Sequence, residues 1–207
     1  MEGQAPQAAP SMQIQFYPTD TISFGSLNTS VGDDGTFTLN GVTPAKYSLS
    51  IHPLPDGAYL RTVRIGDQET PANAIELSGG VSGQLQVYLK MSAGEIDGVV
   101  HDDNGQPAGG AVVTLAPDPP NPEQEQLYHR AETDQNGIFQ VKNVAPGNYR
   151  VYAWEDLEYG AQLDPDLLKA HSIRSERVTI DENGKAQVTL ARISVSSGEE
   201  AKAKAGK

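Results

Sequence analysis

Apolar and polar residues alternate with a period of two along most of the chain, in short runs closed off by Gly, Pro, Asn and Asp. That period puts successive side chains on opposite faces of an extended backbone, so the runs predict half-buried β-strands joined by tight turns. Helical periodicity is nearly absent. The clearest run occurs twice: Asp34-Gly-Thr-Phe-Thr-Leu-Asn-Gly-Val-Thr-Pro-Ala-Lys-Tyr-Ser-Leu49 aligns without a gap to Asn136-Gly-Ile-Phe-Gln-Val-Lys-Asn-Val-Ala-Pro-Gly-Asn-Tyr-Arg-Val151, 102 residues further on. Each copy predicts a strand, a turn and a second strand, with Phe37, Leu39, Tyr47 and Leu49 on the inward face of the first and Phe139, Val141, Tyr149 and Val151 on that of the second. Gly35 and Gly137 supply the turn into the first strand, and Pro44 and Pro146 set the corner before the second.

The copies extend to a common ending. Ile75-Glu-Leu77 and Val87-Tyr-Leu89 mirror Val178-Thr-Ile180 and Val188-Thr-Leu190, and both pairs are expected to be closing hairpins. Residues 91–94 form a short link into Glu95-Ile-Asp-Gly-Val-Val-His101, a strand joined through Asp103-Asn-Gly-Gln-Pro107 to the next, Val112-Val-Thr-Leu-Ala-Pro117. Met12-Gln-Ile-Gln-Phe-Tyr-Pro18 is the first copy's counterpart of that second strand, but nothing before it resembles residues 96–101. Either the chain is a piece of a longer polypeptide or the first module is open-edged. An open edge exposes unpaired backbone groups, so a strand-completing contact is expected there. The prediction is an all-β chain of two tandem antiparallel β-sandwich modules: a flexible segment over 1–11, an incomplete module over 12–91, a complete module over 92–195 and a disordered tail over 196–207.

Charge narrows the partners. Fifteen Lys and Arg against 27 Asp and Glu give a formal charge of −12, which repels nucleic acid and anionic membrane surfaces. No stretch approaches the roughly 18 apolar residues of a membrane span, so no membrane insertion by this chain is expected. Residues 1–10 hold neither a basic region nor an apolar run and are not read as an export signal. The lack of Cys rules out disulfides, thiolate metal sites and a cysteine nucleophile.

Catalytic patterns are equally scarce. His52, His101, His129 and His171 are scattered and make neither His-x-x-Glu nor His-Glu-x-x-His, so a catalytic zinc site is not predicted. Val81-Ser-Gly83 and Ser196-Ser-Gly198 lack the strand–turn–helix setting of a nucleophilic serine. Asp33-Asp-Gly35 and Asp102-Asp-Asn-Gly105 offer carboxylates to calcium, but their composition is that of hairpin turns, and turn chemistry is favoured. No catalytic residue, metal or cofactor is predicted. The candidate ligand site is aromatic: if Tyr149, Val151 and Ala153 face inward, Tyr152 and Trp154 face the opposite way, where with Tyr159, Glu155 and Asp156 they would stack on and bind a sugar or a partner. The competing expectation is cover by Asp164-Pro-Asp-Leu-Leu-Lys-Ala170, a short helix with Asp164 as N-cap and Leu163, Leu167 and Leu168 packed on the rings; exposed aromatic pairs are costly, and cover is preferred.

Gly94-Glu-Ile-Asp-Gly-Val-Val, Gln106-Pro-Ala-Gly-Gly-Ala-Val-Val, Thr133-Asp-Gln-Asn-Gly-Ile-Phe and Val144-Ala-Pro-Gly-Asn-Tyr-Arg-Val together resemble the carboxypeptidase regulatory-like domain family. The resemblance spans about residues 92–193 and the later two-thirds of the first module. It implies a prealbumin-like (transthyretin-like), Greek-key β-sandwich, related to starch-binding and collagen-adhesin B-type modules. It also implies a non-enzymatic structural or interaction module of a larger bacterial envelope protein, located extracytoplasmically: periplasmic, outer-membrane-associated or secreted. Its implied partners are another envelope protein or, by analogy with the starch-binding relatives, a carbohydrate. Collagen-adhesin relatives carry a Lys–Asn crosslink that needs a Lys on the opening strand; residues 95–102 hold none, so none is expected in the second module.

Overall fold

The strand-forming runs become 14 β-strands in the computed structural model, which describes residues 12–19, 25–77 and 84–194. The flexible segment and tail expected over 1–11 and 196–207 lie outside the described residues. The strands are β1 (Gln13–Pro18), β2 (Leu27–Ser30), β3 (Ala45–His52), β4 (Tyr59–Ile65), β5 (Gln68–Thr70), β6 (Ile75–Leu77), β7 (Leu85–Lys90), β8 (Gly94–His101), β9 (Val112–Pro117), β10 (His129–Glu132), β11 (Ile138–Val144), β12 (Gly147–Trp154), β13 (Glu176–Ile180) and β14 (Lys185–Ala191). A six-residue helix, α1 (Pro165–Ala170), follows β12.

The repeat shows most plainly in the two four-stranded sheets, ordered β2-β1-β3-β6 and β10-β9-β12-β13. Their registers agree: Tyr47 lies opposite Pro18 and Tyr149 opposite Pro117. The turns feeding the repeats agree too. Gly35 and Gly137 both take positive φ, 79° and 74°, and their N–H groups donate to the carbonyls of Gly32 and Asp134 at 2.9 Å. The carboxylates do turn chemistry here: Asp34 accepts from the Thr36 N–H at 3.0 Å, and Asp102 from the N–H groups of Asn104 and Gln106 at 2.9 Å each. Those backbone N–H bonds hold both carboxyls below the usual range.

Each four-stranded sheet packs on a smaller one, and here the modules part. In the second, β11-β8-β14 closes the sandwich, with β8 antiparallel to β11 and parallel to β14, the one parallel strand pair among the described residues. The core between these sheets holds Ile96, Val100, Leu115, Phe139, Val141, Tyr149, Val151 and Ile180. Gly98 permits a close approach: a Cβ there would lie 2.6 Å from the Phe139 ring and 2.7 Å from the Val188 carbonyl, so the ring packs directly on the β8 backbone. In the first module no strand among the described residues corresponds to β8. Its smaller sheet is β5-β4-β7, and a separate core gathers Ile14, Phe16, Tyr47, Leu49, Ile51, Val63 and Ile75.

Two expectations need correction. Residues 36–42, the counterpart of β11, are extended in pattern but are not a strand, because the neighbour that would hydrogen-bond them is missing among the described residues. The closing segments are not hairpins: β13 pairs with β12 and β14 with β8, so the turn between them crosses from one sheet to the other, and β6 and β7 divide in the same way between β3 and β4.

Candidate functional site

Strand β12 has two buried faces. Tyr149, Val151 and Ala153 enter the inter-sheet core, while alternation sends Tyr152 and Trp154 outward, beneath α1. Asp164 caps that helix, its carboxylate accepting from the N–H groups of Asp166 and Leu167, and Pro165 opens it. Leu168 seats fully on the cluster with Leu157, Ile193, Val112 and Ala116; Leu167 packs at its margin and Leu163 stays outside it. The rings of Tyr152 and Trp154 stack at 5.6 Å and 15°, and the His171 ring meets Trp154 edge-on at 5.1 Å. Their polar ends are satisfied internally: Trp154 Nε1 donates to Thr114 Oγ1 at 2.9 Å and the Tyr152 hydroxyl to the Leu168 carbonyl at 3.1 Å. Burial pushes the Tyr152 phenol up.

The platform of Tyr152, Trp154, Glu155, Asp156 and Tyr159 is therefore corrected. Tyr152 and Trp154 retain 1 % and 4 % of their surface, leaving no ring face for a sugar, while Glu155, Asp156 and Tyr159 lie exposed in the following loop, with Glu155 ion-paired to Arg192 at 3.5 Å. The physical reason is apolar burial, worth about 1.5–3 kcal/mol for each large side chain withdrawn from water. Among the described residues no group of three or more His, Asp and Glu is placed to hold a metal, and no helix is long and apolar enough to cross a membrane.

His129, at the start of β10, is a titrating group that the spacing of the sequence did not flag. Its Nε2 is shielded from solvent without a hydrogen-bond partner, and burial pushes the imidazole down from 6.5 to about 4. The unfolded chain then binds the extra proton between those values, so this group's stabilising effect is complete above pH 6.5 and is lost as pH falls toward 4. Full burial would make that loss about 3 kcal/mol, and the ring's partial exposure lowers it to about 2 kcal/mol. Urea melts from pH 7 to 4 should show a shallower pH slope for His129→Gln than for the parent chain; equal slopes would contradict the buried neutral ring.

The open side of the first module is the second candidate. Residues 35–39 and 42 form one wall of a cleft of about 870 Å³, β7 forms the other, and Ile14 and Ile51 of the four-stranded sheet lie at its floor. Among the described residues β7 pairs only with β4, which leaves its far edge toward the cleft, and the N–H groups of residues 37–42 have no backbone partner. Phe37, Leu39 and Val42 are half-buried, whereas Phe139, Val141 and Val144, the same positions in the second copy, are 3 %, 5 % and 0 % exposed. The cleft occupies the place of β8.

Asn143 completes the picture at the junction. It stands at φ 60°, where β11 shifts register between Val141 and Val144, and Gly41 holds the matching place in the first copy at φ 69°. Its side chain accepts from the Gly57 N–H at 3.2 Å and donates to the Pro55 carbonyl at 3.3 Å, linking the modules. Sequence reasoning missed it, although Asn and Gly at equivalent repeat positions are a recognisable mark of positive φ.

Comparison with known proteins bears on the second module. Residues 95–164 match the carboxypeptidase regulatory-like domain family. No curated protein matches the chain. Among solved structures, a protein of Pseudomonas aeruginosa described as a candidate carbohydrate-binding protein is 21 % identical, with 49 % of this chain and 89 % of that one covered and a TM-score of 0.33. A minor pilin of Streptococcus agalactiae is 16 % identical over 89 % of this chain and 82 % of its own, with a TM-score of 0.32. The major pilin subunit of Bacillus cereus is 12 % identical over 87 % and 94 %, with a TM-score of 0.33. All three scores lie below those of a shared overall arrangement. The family match falls on the strands that carry the Phe139 and Tyr149 framework, so residues 95–164 of the second module are similar to the carboxypeptidase regulatory-like domain family.

Proposed function

We propose that this chain is a non-catalytic spacing and interaction segment of a larger extracytoplasmic protein, in which two β-sandwiches are held in fixed relation. The junction supports this most directly. Residues 91–93 run straight from β7 to β8, and Ser92 and Ala93 are buried. The Ala93 N–H donates to the Gly57 carbonyl at 2.9 Å and the Asn183 N–H to the Ser92 carbonyl at 3.0 Å. The two Asn143 bonds lie beside them, and Lys90 ion-pairs with Glu182 across the same seam. Such a seam transmits orientation from one module to the next, which a flexible linker does not. The family match over residues 95–164 supports the extracytoplasmic setting and the non-enzymatic role. Burial of Tyr152 and Trp154 turns the choice of partner away from carbohydrate and toward protein.

Backbone ¹⁵N relaxation tests the fixed relation: amides of both modules should report one rotational correlation time. Asn143→Ala removes both side-chain bonds, each worth about 1 kcal/mol, and should split that value into two. Separate correlation times in the parent chain would sink the proposal.

A further inference from the structure

The interaction role proposed for this chain has a specific place in the fold. Resting on that role, we infer that the cleft of the first module takes up an extended peptide strand supplied from outside residues 1–207. The strand pairs antiparallel with residues 36–42 and parallel with β7.

The second module shows how the same frame is completed. There β8 lies between β11 and β14, with Phe139 opposite Gly98, Val141 opposite Ile96, and Val188 level with Gly98. Its inward positions are Gly94, Ile96, Gly98 and Val100; Gly94, Ile96 and Val100 are buried, and Gly98 leaves room for the Phe139 ring. In the first module the flanking elements are present, and no described residues fill the place between them. Residues 36–42 carry the Phe and Leu of the repeat, β7 carries Val87 and Leu89, and the walls are half-buried around an apolar floor. An extended chain entering here satisfies backbone N–H and C=O groups on both sides and covers Phe37 and Leu39 in one step.

The chemistry of the occupant is set by the wall it meets. Alternate inward residues are small or branched and apolar, with Gly opposite Phe37, and the outward residues are mostly polar, as Glu95, Asp97 and His101 are in Gly-Glu-Ile-Asp-Gly-Val-Val-His of β8. Residues 1–11 and 196–207 do not have that chemistry: the first holds Pro6 and Pro10 and no Ile, Val, Leu or Phe, and the second has no apolar residue larger than Ala.

The test uses the full chain and a synthetic peptide with the sequence of Gly94–His101, labelled for fluorescence anisotropy. Saturable one-to-one binding is expected, with new hydrogen-exchange protection confined to residues 37–42 and 85–90. The first module's melting midpoint should rise by about 10 °C or more at a hundredfold excess of peptide over Kd. A peptide with Asp at the Ile96 and Val100 positions should bind at least about tenfold more weakly, since it places charge against the apolar floor. A peptide N-methylated at the alternate residues whose N–H groups face residues 36–42 keeps its side chains and loses the donors of that ladder, and it should not bind; this control needs no change to the protein. Leu39→Asp should weaken binding while the second module melts unchanged. Absence of binding, equal binding of the N-methylated peptide, or amides at 37–42 already protected without peptide would overturn the inference. Any of these alongside a single correlation time would leave the spacer role standing.

Discussion

Trp154→Ala is expected to lower the stability of the second module by about 3–5 kcal/mol, as for other buried Trp truncations. Trp154 is 4 % exposed and fills the space among Tyr152, His171, Leu157 and Leu168, so Ala leaves a cavity that a six-residue helix pinned at Asp164 cannot collapse to fill. The loss has a polar part as well. Thr114 is fully buried and accepts the indole N–H, and truncation leaves its hydroxyl without that donor. Against the 5–15 kcal/mol typical of a whole domain, a change of this size shifts the second module's urea midpoint strongly. An unchanged midpoint with loss of a bound glycan would instead restore Trp154 to an exposed platform.

The repeated phenylalanines should respond unequally. Phe139→Ala is expected to cost about 3–5 kcal/mol, because its ring lies over Gly98 inside a closed sandwich. Phe37→Ala should cost about 1–2 kcal/mol, because the ring already stands half in water at the cleft wall. Denaturation monitored separately in each module gives both values. Equal costs would mean that the cleft is closed in solution, and bound peptide should raise the cost at Phe37 toward that at Phe139.

The repeat was legible because it is written in local chemistry. Period-two alternation names the residues that share a face, and Gly35, Gly137, Pro44 and Pro146 mark the places where a strand must turn. The helix over residues 165–170 was legible for the same reason, through Asp164 and Pro165. Alternation assigns Tyr152 and Trp154 to the outer face of β12 and leaves two readings, platform or cover; the Leu residues after Asp164 favour cover, and α1 provides it.

By itself, then, the sequence determined two copies of a β-framework, the inward identity of Phe139, Tyr149 and their counterparts, the turn roles of Asp34 and Asp102, and the absence of a β8-like run before β1. Only the tertiary structure decided that β14 runs parallel to β8, that Tyr152 and Trp154 are sealed rather than offered as a platform, that Asn143 ties one module to the other, and that among the described residues the first module's cleft has an apolar floor and unpaired walls. The division has one physical cause. Dihedral preference and alternation act between neighbours in the chain, whereas strand partners, cover and open edges depend on which distant segments meet, and the hydrophobic effect that brings them together has no direction encoded in any single run.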